Sequence, residues 1–323
     1  MDQLISLQDI TRARRRLRGV AKHTPLQRNA RLSEIYGAEI YLKREDLQEV
    51  RSYKIRGSYN KMATLSEEQL AKGVVCASAG NHAQGLAFAC NAMQVHGHIY
   101  MPAVTPRQKV SKVKMFGKEF ATVVLVGDAY DDAYAEAKRA ADLHGYTFVH
   151  PFDDPDVIAG QGTTGLEILD DLPINSDLDF MLLAVGGGGL SAGIGSVFKQ
   201  LSPATTILGV EPLGAPAMHT SLAAGKIVEL DKIDSFVDGA AVKRVGTTNF
   251  PIIQQTMKEV LLVPEGKVCN TILELYNEDG LVVEPAGALS VSALDSVADQ
   301  IKGKTVVCVI GGGMAGVATA QGL

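Results

Sequence analysis

The chain has 323 residues, 46% of them hydrophobic, and a formal net charge of −5, enough apolar material for two domains or one large domain with an insertion. The acidic balance, the absence of tryptophan and an aromatic content of 6% argue against a nucleic-acid binder, which needs a basic face or stacking platforms. The apolar runs fall short of a bilayer's thickness and no signal peptide opens the chain, so a soluble, cytosolic protein without a membrane partner is expected.

The first expected element is a helix. Leu4, Leu7, Ile10, Ala13 and Leu17 make an apolar stripe, with Arg12, Arg14, Arg15, Arg16 and Arg18 between them. Asp2 and Asp9 interrupt that charge, which favours a solvated helix face over a targeting sequence. Short apolar runs predict strands at 74–77, 97–101, 122–126, 180–185, 206–210 and 305–310. Amphipathic stretches at 129–144 and 160–169 predict helices between them. Strand–helix alternation implies a parallel sheet with helices on both faces, and such sheets bind ligands at the Gly-rich turns after their strands. Cys76, Cys90, Cys269 and Cys308 form no C-x-x-C pair and have no histidine at zinc-ligand spacing, so they read as buried free thiols in a reducing compartment.

Three segments could carry chemistry. In Ser52-Tyr53-Lys54-Ile55-Arg56-Gly57, a buried Lys54 would have a lowered pKa and a neutral, nucleophilic amine, although local sequence alone fits a snorkelling surface lysine better. Ser78-Ala79-Gly80-Asn81-His82 follows a strand and opens a helix, offering backbone N–H groups to a carboxylate or phosphate; His82 fits a structural role better than that of a base. Gly186-Gly187-Gly188-Gly189-Leu190 follows the strand at 180–185. Four glycines cost conformational entropy, and close approach of backbone to a phosphate accounts for them better than a plain turn. A rival remains: Gly187-x-Gly189-x-x-Ala192 matches the dinucleotide fingerprint, with Glu211 near the expected spacing, and Gly311-x-Gly313-x-x-Gly316 matches it again.

Taken together, the ordered segments resemble the fold-type II pyridoxal-phosphate enzymes, and within them the biosynthetic threonine dehydratase branch. The segments are Tyr41-Leu42-Lys43-Arg44-Glu45-Asp46-Leu47-Gln48, then 51–57, 77–85, Gly160-Gln161-Gly162-Thr163, 185–190, 236–246 and Glu284-Pro285-Ala286-Gly287-Ala288. The resemblance implies an α/β fold of the tryptophan synthase β type, with two open parallel-sheet domains and the cofactor in the cleft. Residues 1–65 and 146–323 would form the large domain and 66–145 the small one. It implies pyridoxal 5'-phosphate as cofactor, a small amino-acid substrate and a homodimer or homotetramer. The expected reaction is conversion of L-threonine to 2-oxobutanoate and ammonia, with L-serine slower. Another lyase of this type, acting on serine or hydroxyaspartate, is the alternative.

The same resemblance implies the site residues. Lys54 would carry the cofactor and act as the catalytic base. Asn81 would hydrogen-bond the ring oxygen, and Gly186, Gly187, Gly188, Gly189 and Leu190 would cradle the phosphate. Ser78, Ala79, Gly80, Asn81 and His82 would hold the substrate carboxylate, with Glu284 near the ring. Three positions depart from relatives. Ala79 stands where racemases carry a second serine, so racemisation is not expected. Ala217 stands where an aspartate would complete a metal site with Glu211 and Ala215, so no metal is expected. Gly311-Gly312-Gly313-Met314 stands where the family has a serine that meets the pyridine nitrogen, leaving Gly311 at the cofactor without a side chain. The chain ends where a regulatory domain would begin, so isoleucine is not expected to inhibit.

Overall fold

The computed structural model describes residues 4–174 and 176–312. Its strands are β1 (Leu26–Arg28), β2 (Glu39–Arg44), β3 (Val74–Ala77), β4 (Gly97–Met101), β5 (Ala121–Leu125), β6 (Thr147–Phe148), β7 (Phe180–Ala184), β8 (Thr206–Pro212), β9 (Glu259–Val263) and β10 (Thr305–Ile310). One sheet has the order β1-β2-β10-β7-β8-β9 and the other β5-β4-β3-β6. All pairings are parallel except β1 with β2, a three-residue antiparallel addition at the edge that the all-parallel expectation did not contain. The predicted strands lie at or within two residues of their expected bounds. β3 and β10 are buried along nearly all their length, as their Val-rich sequences require of strands covered on both faces.

The helix expected at 160–169 runs over Pro155–Asp171. Asp154 starts it, its carboxylate accepting from the N–H of Asp156 (2.8 Å) and Val157 (3.2 Å), and Pro155 takes the first position, where no intrahelical N–H is needed. Two other helices press closely on it. A Cβ added at Gly160 would stand 2.6 Å from the Arg56 carbonyl oxygen, which belongs to the helix Lys54–Met62. One at Gly193 would stand 2.6 Å from Gly162 N, which brings the helix Gly189–Leu201 to the same surface. Side chains that stop at hydrogen therefore set the spacing of three helices. The first residue of one is Lys54, and the first of another is the last of the four consecutive glycines.

Under Lys54 lies a buried charge network. The Arg56 guanidinium, 1% exposed, donates to Glu45 (Nη2 to Oε1, 2.7 Å) and Glu167 (Nη1 to Oε1, 2.6 Å). Lys43, fully buried, pairs with Glu167 at 2.8 Å and donates to the Thr24 carbonyl. Two cations thus face two carboxylates with their donors filled, which is how buried charge is tolerated. Cys76, Cys90 and Cys308 are buried free thiols and Cys269 is half-buried. Among the described residues, no helix is long and apolar enough to cross a membrane.

Candidate active site

The carboxyl ends of β3, β7 and β10 lead into one cleft, whose lining includes Lys54, Asn81, Gly186, Leu190, Glu284 and Gly311. These residues come from segments far apart in sequence. A larger cavity, about 620 Å³, opens elsewhere between Arg14, Arg15, Arg18, Arg56 and Glu167 and contains none of the residues expected to hold cofactor or substrate.

Lys54 is half-buried, and its Nζ donates to the Pro151 carbonyl at 2.8 Å. Burial lowers its pKa to about 8, against the opposing pull of Glu284. A neutral amine is therefore accessible near physiological pH, which is what attack on an aldehyde needs. The sign gives a test. Below about pH 8 the reactive fraction should rise about tenfold per pH unit and then level off. Aldehyde uptake by the cofactor-free protein, followed by absorbance, should show that plateau; a rise continuing to pH 10 would mean an ordinary exposed lysine.

Asn81 opens the helix Asn81–Met93. Its Nδ2 donates to Glu284 Oε1 at 2.6 Å, and its buried Oδ1 has no hydrogen-bond partner. One Nδ2 hydrogen is left for a ligand oxygen. Gly80 supplies no capping side chain to this helix, and the N–H groups of Asn81, His82 and Ala83 have no acceptor among the described residues. The Ser78 hydroxyl accepts from Gly80 N–H, and a Cβ at Gly80 would meet open space. Ala79 is partly buried against the core of the four-stranded sheet. His82 is buried and held by its ring to the Val149 carbonyl (2.9 Å) and Ser58 Oγ (3.3 Å). Burial, with the nearby Lys54 charge, lowers its pKa to about 3. Its ring is neutral and structural, and only its backbone N–H is open to a ligand.

The consecutive N–H groups of residues 186–190 likewise have no acceptor among the described residues. Gly188 adopts φ +94°, which a side chain would strain. A ligand in front of the loop is one reason for the glycines. The structure adds a crowd behind it: a Cβ at Gly187 would run into the Phe152 ring, and one at Gly186 would lie 3.0 Å from the Ala240 carbonyl. Gly287 is also forced, since a Cβ there would collide with the Gly311 carbonyl. At Gly311 itself a Cβ would have room, its nearest neighbour being Glu284 Oε1 at 3.9 Å. Gly313, Met314 and Gly316 lie outside the described residues.

Glu211 decides against a dinucleotide. It is fully buried, and its two carboxylate oxygens accept from the N–H of Met218 (2.8 Å) and His219 (2.9 Å), so it has no reach to a ribose hydroxyl. Burial raises its pKa to about 7 against those two hydrogen bonds. Sequence reasoning also passed over Phe152, Asp153 and Asn249, which back the glycine loop; no local motif marks them.

A desolvated lysine amine, an unsatisfied amide and two runs of orphan N–H groups fit a cofactor with an aldehyde, a ring oxygen and a phosphate, together with a substrate carboxylate. The chain belongs to the pyridoxal-phosphate dependent enzymes, whose family model matches residues 17–312. It is 56% identical over 312 residues to the protein of Bacillus subtilis (strain 168) named L-threonine dehydratase biosynthetic IlvA, covering 97% of this chain and 74% of that protein. The correspondingly named protein of Halalkalibacterium halodurans is 54% identical, covering 96% of this chain and 74% of its own length. Among solved structures, the processed form of threonine deaminase isoform 2 from Solanum lycopersicum superposes with a TM-score of 0.93 at 38% identity, over 98% of this chain and 85% of that one. A serine racemase from Dictyostelium discoideum superposes at 0.88 with 32% identity, over 97% and 99%.

Proposed function

We propose that the protein is a threonine ammonia-lyase that converts L-threonine to 2-oxobutanoate and ammonia in isoleucine biosynthesis, and L-serine more slowly to pyruvate. The observation that carries this reading is 56% identity, over 97% of the chain, to a protein named for that reaction. Pyridoxal phosphate, when bound, supplies an electron sink for charge that develops at the substrate α-carbon. Lys54 would hold the cofactor through its aldehyde carbon and, once freed, would be the base that takes the α-proton, a role its lowered pKa supports. The N–H groups of Gly186, Gly187, Gly188, Gly189 and Leu190 would hold the phosphate, with Gly311 on the ring's side of the cleft. The second Nδ2 hydrogen of Asn81 would meet the ring oxygen, while Glu284 fixes that amide. The turn Ser78-Ala79-Gly80 with the N–H groups of Asn81 and His82 holds the substrate carboxylate. Water leaves from the β-carbon, and later hydrolysis returns it while releasing ammonia, so the net change is threonine to 2-oxobutanoate plus ammonia.

The test is 2-oxo acid release from a panel of L-threonine, L-serine and hydroxyaspartate by the pyridoxal-phosphate-loaded protein. Release from threonine in preference is expected; preference for another amino acid would reassign the substrate. Ala79 has no hydroxyl with which to return a proton to the opposite face of the substrate, so D-serine should not form from L-serine. Chiral chromatography of the reaction checks this, and accumulating D-serine would refute it.

The larger domain would be residues 1–65 and 149–323 and the smaller 66–148, the expected crossing at 145/146 moving to just after Phe148 because β6 pairs with β3. A cytosolic homodimer or homotetramer completes the reading, which light scattering of the loaded protein tests.

A further inference from the structure

Behind the glycine loop, one side-chain amide hydrogen-bonds both the loop and the segment that carries Phe152. Asn249, fully buried, donates from Nδ2 to the Gly187 carbonyl (2.8 Å) and to the Phe152 carbonyl (3.1 Å). The Gly187 carbonyl also accepts from Gly246 N–H at 3.0 Å. The Asp153 carboxylate accepts from the N–H groups of Thr247 and Thr248, both at 2.8 Å, which fixes the turn that delivers Asn249. Phe152 is the ring that Gly187 packs against, so the amide sets the floor and the loop at once.

We propose that Asn249 is a positioning residue for the cofactor phosphate, acting through the Gly187 peptide plane. In a trans peptide the carbonyl and the following N–H point in opposite directions. Holding the Gly187 carbonyl toward Asn249 therefore turns the Gly188 N–H away from it, and that N–H has no acceptor among the described residues. Gly188 has φ +94° and almost no intrinsic preference to keep this plane, so an external anchor is required. Asn249 Oδ1 is buried without a partner, and the amide is retained there for its donor end. The inference rests on reading residues 186–190 as the phosphate cradle.

The test compares affinities of the cofactor-free protein for pyridoxal 5'-phosphate and for pyridoxal, which lacks the phosphate, in the native chain, Asn249→Asp and Asn249→Ala. The ³¹P resonance of the loaded proteins is recorded alongside. Asn249→Asp puts an oxygen against two carbonyl oxygens, and should cut the preference for the phosphorylated form by about tenfold or more, the equivalent of one lost hydrogen bond. Asn249→Ala should cut it by roughly threefold to tenfold, since Gly246 N–H still holds Gly187. In both, pyridoxal affinity should stay within about twofold and the ³¹P line should move toward that of free cofactor. Equal loss of both affinities would make Asn249 merely structural, and an unchanged preference with an unmoved line would overturn the proposal. If Asn249→Asp does not fold, Asn249→Ala decides alone. A native chain that shows no preference for the phosphorylated form would instead sink the cradle reading itself.

Discussion

Lys54→Ala abolishes measurable 2-oxobutanoate release, a loss of about 10⁴-fold or more, if one amine both anchors the cofactor and moves the α-proton as proposed. Its carbonyl-bound Nζ and lowered pKa mark it as the reactive amine of the cleft, while the nearby His82 and His150 are neutral rings. Burial is the first cause of the low value at both histidines, to about 3 and about 4. Neither offers a substitute base aimed at the substrate. The variant should keep its fold, since removing a half-buried lysine also removes a desolvation cost. The measurement is turnover of L-threonine beside the melting curve of the same sample. Turnover within about tenfold of the native rate, in a folded variant, would move the proton transfer to another group.

Arg56→Met lowers unfolding free energy by about 3–5 kcal/mol, the usual consequence of removing one partner from a buried ion cluster. It leaves Glu167 buried with Lys43 as its remaining cation and Glu45 buried with only the neutral donors Thr24 and Gln48. Burial alone would raise the Glu167 pKa, yet the charge and hydrogen bonds of Arg56 and Lys43 hold it below the ordinary carboxylate value. That sign means the contribution is present at neutral pH and fades as pH falls through the lowered value. Urea unfolding at neutral and at acid pH should therefore show the variant's deficit shrinking with acid. A deficit under about 1 kcal/mol at neutral pH would mean the cluster relaxes without its arginine. Since Arg56 lies two residues from Lys54 on the same helix, some loss of cofactor affinity should accompany the loss of stability.

Much of this was legible in the chain because the physics is local. Val74 to Ala77 and Thr305 to Ile310 are apolar on both faces, which only a doubly covered strand requires, and they appear at the expected bounds. The glycine loop and the turn before Asn81 announced themselves because backbone at a helix start needs ligands. What escaped was either too short or non-local. β1 and β6 have three and two residues, below the length at which alternation has meaning. The start of the helix at Pro155 was missed because Gly160, Gly162 and Gly165 weaken its periodicity, although Asp154 and Pro155 were the available cue. Lys43, Glu45, Arg56 and Glu167 read as surface charges one at a time, and only folding shows that they neutralise one another. Asn249 works on a carbonyl 62 positions away, and nothing in its neighbours says so.

The close stacking of the helices Lys54–Met62, Pro155–Asp171 and Gly189–Leu201 bears on how the sequence can drift. A single methyl at Gly160 would press the helix Pro155–Asp171 off the one that begins at Lys54, and one at Gly193 would press it off the one that begins at Gly189. In a library of all single substitutions selected for growth without isoleucine, these two positions should be as intolerant as Lys54. Alanine, the mildest change at most sites, should be rejected there.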